Sequence, residues 1–126
     1  MNKIIRKIQY SEKVYRFDVE APLIAKSRKA GNFVIIRVDA NSERMPLTIA
    51  DADIEKGTIT LVVQKVGLSS TKLCNLNEGD EIHDVVGPLG NPTHIENFGT
   101  VLCAGGGVGV APMLPIIKAL KAAGNR

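Results

Sequence analysis

The feature that most restricts how this chain can fold is a glycine cluster set between an apolar run and an amphipathic segment near the C-terminus. Val101-Leu102-Cys103-Ala104 carries no polar alternation, Gly105-Gly106-Gly107-Val108-Gly109 follows, and Met113, Ile116, Ile117 and Leu120 then fall at i, i+3, i+4 and i+7. The first run reads as a parallel strand covered on both faces and the last as one face of a helix. Pro112 suits a first helical turn and Gly124-Asn125 a stop, whereas Pro115 removes a donor close to the helix start and is less at ease there. Glycines between such a strand and helix let the backbone approach an anion and aim N–H groups at it, which is the chemistry of nucleotide phosphates. The strict dinucleotide fingerprint is not met, because Pro112 stands where a third Gly or Ala belongs and no acidic residue lies about 20 residues further on. The same glycines also suit a strand and helix that merely cross closely, and spacing alone leaves both readings open.

From residue 3 to residue 86 the period is two. Tyr15, Phe17 and Val19 alternate with Arg16, Asp18 and Glu20; Val34, Ile36 and Val38 with Ile35, Arg37 and Asp39; Ile59, Leu61 and Val63 with Thr58, Thr60 and Val62. With residues 4–10, 45–50 and 81–86, this predicts six short, half-buried antiparallel strands in a small barrel or sandwich, of which the barrel leaves no open edges. Ser69-Ser70-Thr71 departs from the pattern and reads as a helix N-cap, followed by a short helix with Leu73 and Leu76 inward. Its first N–H groups, just after Gly67, make a second candidate anion site. Gly87-Pro88-Leu89-Gly90-Asn91-Pro92 reads as a double turn without regular structure. It leads to a boundary between a barrel domain, 1–96, and the start of a nucleotide-binding domain, 97–126.

The net charge of +3 is small and scattered, which argues against nucleic acid as a partner. The single basic cluster, Lys26-Ser27-Arg28-Lys29, reads as a solvated loop. No apolar run reaches about 18 residues and the N-terminus lacks a signal-peptide core, so no membrane and a cytoplasmic location are expected. Cys74 and Cys103 stand alone and are expected to be reduced, buried thiols, with no metal spacing. His83 and His94 have no ligand-spaced companions and read as surface residues. Arg44, ahead of Met45-Pro46-Leu47-Thr48, offers a planar fork suited to a phosphate pair, yet alone it reads by default as a surface arginine.

Together these stretches resemble the ferredoxin-NADP reductase superfamily. Gly31-Asn32-Phe33 looks like its Gly-x-Phe strand start, Arg44-Met45-Pro46-Leu47-Thr48-Ile49-Ala50-Asp51 like its flavin motif and Gly67 to Thr71 like its second phosphate motif. Gly87-Pro88-Leu89-Gly90 looks like its domain junction, and the run from Gly105 to Pro112 like its nucleotide loop. The resemblance implies a mainly β chain: a six-stranded antiparallel Greek-key flavin-binding barrel with one short capping helix, then the first β-α unit of a doubly wound nucleotide-binding domain. Pro46-Leu47 stands where plant-type members carry Tyr-Ser. This form is similar to the branch of electron-transfer subunits that serve dihydroorotate dehydrogenases and NADH-dependent ferredoxin:NADP oxidoreductases, also described as sulfide dehydrogenases.

That branch implies an oxidoreductase using FAD and NAD(P)H, with a [2Fe-2S] cluster, a larger redox subunit as partner and ferredoxin as a further one. Carried over by residue, Arg44 contacts the FAD phosphates. Pro46, Leu47, Thr48 and Ile49 lie along the isoalloxazine, with Thr48, the candidate catalytic residue, near N5, and Met45 is a further cofactor-binding residue. Val63, Gln64 and Lys65 run beside the ribityl and adenosine parts, while Gly67, Ser70 and Thr71 hold the pyrophosphate. Gly105, Gly106, Gly107, Val108 and Gly109 form the nucleotide loop. The Arg44 motif lacks an aromatic for ring stacking. Cluster cysteines and later nucleotide contacts are expected beyond Arg126, so that these residues alone bind FAD but are inactive. The apolar face of the last helix is expected either to self-associate or to fold back on the barrel. An alternative reading is a non-catalytic barrel that serves as an assembly module for a larger redox subunit.

Overall fold

The period-two stretches form strands β1 (Ile4–Gln9), β2 (Val14–Glu20), β3 (Phe33–Arg37), β4 (Met45–Thr48), β5 (Asp51–Asp53), β6 (Thr58–Gln64) and β7 (Asp84–Leu89). The computed structural model describes residues 2–107 and 110–126. All strand pairs are antiparallel and fall into two sheets, ordered β1-β2-β6-β5 and β4-β3-β7. Backbone hydrogen bonds join the sheets on both sides. On one, the chain switches sheets between β4 and β5, where the Ile49 N–H donates to the Asn32 carbonyl (3.2 Å) and the Ala50 N–H to the Thr60 carbonyl (2.9 Å). On the other, the Lys3–Glu81 bridge and the bond from the Ile82 N–H to the Asn2 carbonyl (2.9 Å) bring the approach to β7 beside β1. These few bonds bring the two sheets together in a barrel-like arrangement in which β4 and β7 remain the edges of their sheet. Inward residues of the alternation, among them Ile4, Phe17, Val19, Val34, Ile36, Ile59 and Leu61, are fully buried. Each such side chain stabilises the fold by about 1.5–3 kcal/mol.

Several expectations are corrected by this packing. Among the described residues there are seven strands, not six, because the expected strand from 45 to 50 ends at Thr48 and Asp51–Asp53 pairs separately with β6. Strand β6 lies between β2 and β5 and is buried on both faces from Thr58 to Leu61, not on one. Helix α1 (Pro22–Ser27) was not anticipated: Pro22 opens it, and Ile24 and Ala25 are buried beneath it. It takes in Lys26 and Ser27 of the cluster expected to be a solvated loop; Lys26, Ser27 and Lys29 are exposed, and Arg28 forms an ion pair with Asp51. Helix α2 (Leu68–Cys74) is capped by Gly67, not by the serines. Gly87, Pro88 and Leu89, expected to be turn, belong to β7. That strand pairs only with β3, so the missing proline N–H costs no ladder bond. Gly87 is needed for close packing, since a Cβ there would lie 2.8 Å from Val34 Cγ1.

Among the described residues of the C-terminal part, helix α3 (Val110–Ala122) is the one long regular element. The expected strand at 101–104 is not formed: Leu102 is 95% exposed, and Cys103, expected to be buried, is exposed too. A parallel strand depends on neighbours for its hydrogen bonds. One such pairing is present: the Arg126 N–H donates to the Gly99 carbonyl (2.9 Å) and the Val101 N–H to the Arg126 carbonyl (3.1 Å). These two bonds have the pattern of a parallel ladder, so the chain returns from α3 alongside residue 100, as a strand-helix-strand unit requires. Asn125 secures the return. Its Nδ2 donates to the Glu96 and Leu120 carbonyls, and its Oδ1 accepts from the Phe98 and Gly99 N–H groups. Pro115 and Leu120 are buried, while Ile117, expected on the inward face, is 40% exposed.

Candidate functional site

A groove of about 410 Å³ opens where edge strand β4, the end of β6 and the start of α2 converge. Met45, Pro46 and Leu47 form one wall, Val63 and Gln64 the second, and Gly67, Leu68 and Ser70 the end. Strand alternation turns Met45 and Leu47 against the core and Pro46 outward, and the edge position tolerates the proline. Arg44 stands between the groove-lining Glu43 and Met45, exposed and without an ion-pair partner among the described residues. Past Val66 and Gly67 the surface continues into a second hollow of about 630 Å³, lined by Lys13, Lys65 and Thr71.

The start of α2 is held by one hydroxyl. Ser70 Oγ accepts from the Val66 N–H (3.0 Å) and the Gly67 N–H (2.9 Å) and donates to the Gly67 carbonyl (3.2 Å). Its bonding capacity is thus spent on shaping the loop, and Ser70 is itself buried. Gly67 has φ −142°, an extended conformation open to any residue, and a Cβ built there would meet no protein atom within 4 Å. Neither backbone nor packing calls for glycine at this place, whereas close approach of a ligand does. The loop leading to Arg44 is tied back by Asp39, whose Oδ1 accepts from the Asn41 N–H and from Ser42 Oγ. The carboxyl is held below the usual aspartate range, first by Ser42, then by Asn41 and Lys72.

Of the residues singled out from sequence, Met45, Pro46, Leu47, Val63, Gln64, Gly67 and Ser70 line the groove and Lys65 and Thr71 the adjoining hollow, whereas Arg44 and Thr48 line neither. Thr48 ends β4 opposite Phe33, half-buried, on the face of the strand shared with Pro46. Ile49 is 1% exposed and belongs to the core, so its side chain does not line the groove. Gly105, Gly106 and Gly107 are exposed and are not part of the groove lining; Val108 and Gly109 lie outside the described residues. A Cβ on Gly105 would collide with the Met113 sulfur, a packing reason for that glycine, whereas one on Gly106 would meet nothing. Val66, Leu68 and Glu43 were missed. They are exposed or charged residues beside a motif, and only the folded groove singles them out. Cys74 is buried in α2, and burial pushes its thiol up against the opposing charges of Lys65 and Lys7. Among the described residues no group of three or more His, Cys, Asp or Glu is gathered as a metal would require, and no helix is long and apolar enough to cross a membrane.

A barrel-like pair of antiparallel sheets, with edge strand β4 directly after Arg44 and facing a glycine-opened helix start, is the arrangement of a flavin domain of ferredoxin reductase type. The chain belongs to that family: the model described as the oxidoreductase FAD-binding domain matches residues 2–94. Beyond the family, the chain is 49% identical over 125 residues to a dihydroorotate dehydrogenase B (NAD(+)) electron transfer subunit homolog of Thermotoga maritima, a match covering 99% of this chain and 44% of that protein. The corresponding subunit of Fusobacterium nucleatum is 30% identical over 117 residues, covering 88% of this chain and 45% of its own length. Among solved structures, the NADH-dependent reduced ferredoxin-NADP oxidoreductase studied for flavin-based electron bifurcation superposes with a TM-score of 0.98 at 48% identity, covering 100% of this chain and 46% of that one. Phthalate dioxygenase reductase, at 22% identity, covers 99% of this chain and 40% of its own and shares the fold, with a TM-score of 0.71. The chain thus spans under half the length of these relatives.

Proposed function

We propose that this chain is the flavin-binding part, with the first unit of the nucleotide-binding part, of an electron-transfer subunit that passes electrons between a pyridine nucleotide, FAD and an iron–sulfur partner. The observation that carries the reading is the groove itself, in which Met45–Leu47 of β4, Val63–Gln64 and a glycine with no other reason to be glycine converge on one cavity, with Arg44 next to it in the chain. FAD, when bound, supplies two-electron exchange with the nicotinamide and one-electron exchange with an iron–sulfur centre. The chain's own residues bind and orient it. Arg44 offers a free fork to the phosphates, and the first N–H groups of α2, which have no partners within the helix, face the same charge. Pro46 is a stiff wall, Val63 and Leu47 exclude water from one side of the groove, and Thr48 holds a hydroxyl proton that biases one redox state over the other. Lys65 and Thr71 extend the site towards the adenosine end. Gly105–Gly109 and the start of α3 serve the pyridine nucleotide.

The names of the Thermotoga and Fusobacterium relatives favour a dihydroorotate dehydrogenase as the larger partner, while the solved structure favours a ferredoxin-linked complex. An assembly module without cofactor has no use for an unpaired Arg44 beside a glycine-opened cavity. Purified protein is expected to be yellow or to bind FAD on titration, with Thr48→Val shifting the flavin midpoint potential while leaving affinity nearly intact. Colourless protein that takes up no FAD overturns the reading.

A further inference from the structure

Asp51 is the last residue of the run that begins at Arg44, and its carboxylate meets groups from α3, from the residue after α1 and from its own strand. Lys118 Nζ, on α3, donates to Oδ2 at 2.9 Å; an Arg28 guanidinium nitrogen, just past α1, lies 3.8 Å from Oδ1; and the N–H of Ala52, in β5, donates to Oδ1 at 3.0 Å. Among the described residues, the Lys118–Asp51 bond is the one hydrogen bond between α3 and residues 2–94. Apolar packing there is thin. Pro115 and Ala119 of α3 face Ala30 and Ile95 across an open cleft of about 690 Å³, so the helix is laid along the barrel rather than packed into it. On the barrel side the anchor is stiff, because Asp51 pairs with Thr60 in β6 and the two residues before it are bonded to Asn32 and Thr60. On the helix side Lys118 lies about two turns from Val110, where the glycine cluster ends.

We propose that Asp51 is a positioning residue, clasping α3 and the glycine turn that leads into it to the strand run that lines the groove. It thereby sets the separation between the two ligand-holding segments, an inference that rests on the flavin and nucleotide roles proposed above. Arg28 steers the carboxylate from the far side and offsets part of its charge, which leaves Lys118 as the contact that decides where the helix lies.

The test is a double-mutant cycle on the whole 126-residue chain, using Asp51→Asn, Lys118→Met, both together, and Lys118→Arg. A dye on the exposed Cys103 reports energy transfer to bound FAD, and hydrogen exchange reports protection of α3. Each single variant is expected to broaden the transfer distribution and lower α3 protection by about fivefold, the size a partly exposed ion pair allows. The double variant should add nothing further, Lys118→Arg should match wild type, and FAD affinity should be equal in wild type, Lys118→Met and Lys118→Arg. Wild-type transfer and protection in Asp51→Asn, or additive losses in the double variant, would overturn the clasp. Failure of the functional reading is read separately, as wild-type protein that takes up no FAD. The positioning role falls with it, whatever the exchange data say of the contact.

Discussion

The segment after the barrel is no poorer in apolar residues than the barrel, yet the barrel is packed and the segment largely bare. In the barrel, Phe17, Ile36, Ile59 and Leu61 each find neighbours from strands distant in sequence and are fully buried. In the C-terminal segment, Leu102 is almost wholly exposed, Val110 and Ile117 are about half so, and the order present comes from one helix and the Asn125 network. The difference teaches that apolar content does not create a core. Two antiparallel sheets from within residues 2–94 cover each other's inner faces, whereas one strand-length run and one helix cannot cover each other completely.

The largest effect that would break this comparison lies in the core. Phe17→Ala should destabilise the protein by about 3–5 kcal/mol, while Leu102→Ala should change stability by no more than about 0.5 kcal/mol. Urea unfolding followed by circular dichroism measures both, and a Leu102 variant as damaged as the Phe17 variant would show that the run is buried in solution.

Next in size is a change that touches ligand but not fold. Arg44→Ala should weaken FAD by about one to two decades, corresponding to about 1.5–3 kcal/mol for hydrogen bonds to a charged group. Since Arg44 has no ion-pair partner among the described residues, the apoprotein should melt like wild type. Unchanged flavin occupancy would remove Arg44 from the phosphate site.

The bare face of α3 sharpens the comparison further. Covering a side chain such as Ile117 gains at most about 1.5–3 kcal/mol, less here because it is already partly covered. Sedimentation should reveal association at high concentration that Ile117→Asp reduces; a wild-type chain that stays monomeric would mean that resting on the barrel is enough.

The smallest effect concerns acid. Burial of the Asp51 carboxyl works to raise its pKa, but Lys118, the Ala52 N–H and Arg28 outweigh it and hold the group below the ordinary aspartate range. A depressed folded-state pKa contributes stability above the unfolded value of about 3.9 and loses it as the pH falls through the folded value. Protection of α3 should therefore decline below about pH 4, by no more than about 1 kcal/mol for so exposed a pair, while β2 and β6 hold. Loss of barrel and helix together at one pH would contradict it.

Alternation and motif order by themselves determined the antiparallel barrel, the helix after Gly67, the helix after Pro112 and most of the groove lining, because each of these rests on local periodicity or on adjacent residues. Only the tertiary structure decided the rest. Pro88 sits in a strand because β7 is an edge, Ile49 turns into the core because the chain changes sheets there, and Ser70 shapes the loop because its hydroxyl lies within reach of three groups of its own turn. Residues 101–104 have the composition of a buried strand and are not one, since a parallel strand is completed by its neighbours and the pairing with Arg126 supplies a single step of that ladder. The contact of Lys118 with Asp51, 67 residues apart, carries no local signal at all; it exists because the fold of the barrel and the path of α3 bring opposite charges to one place.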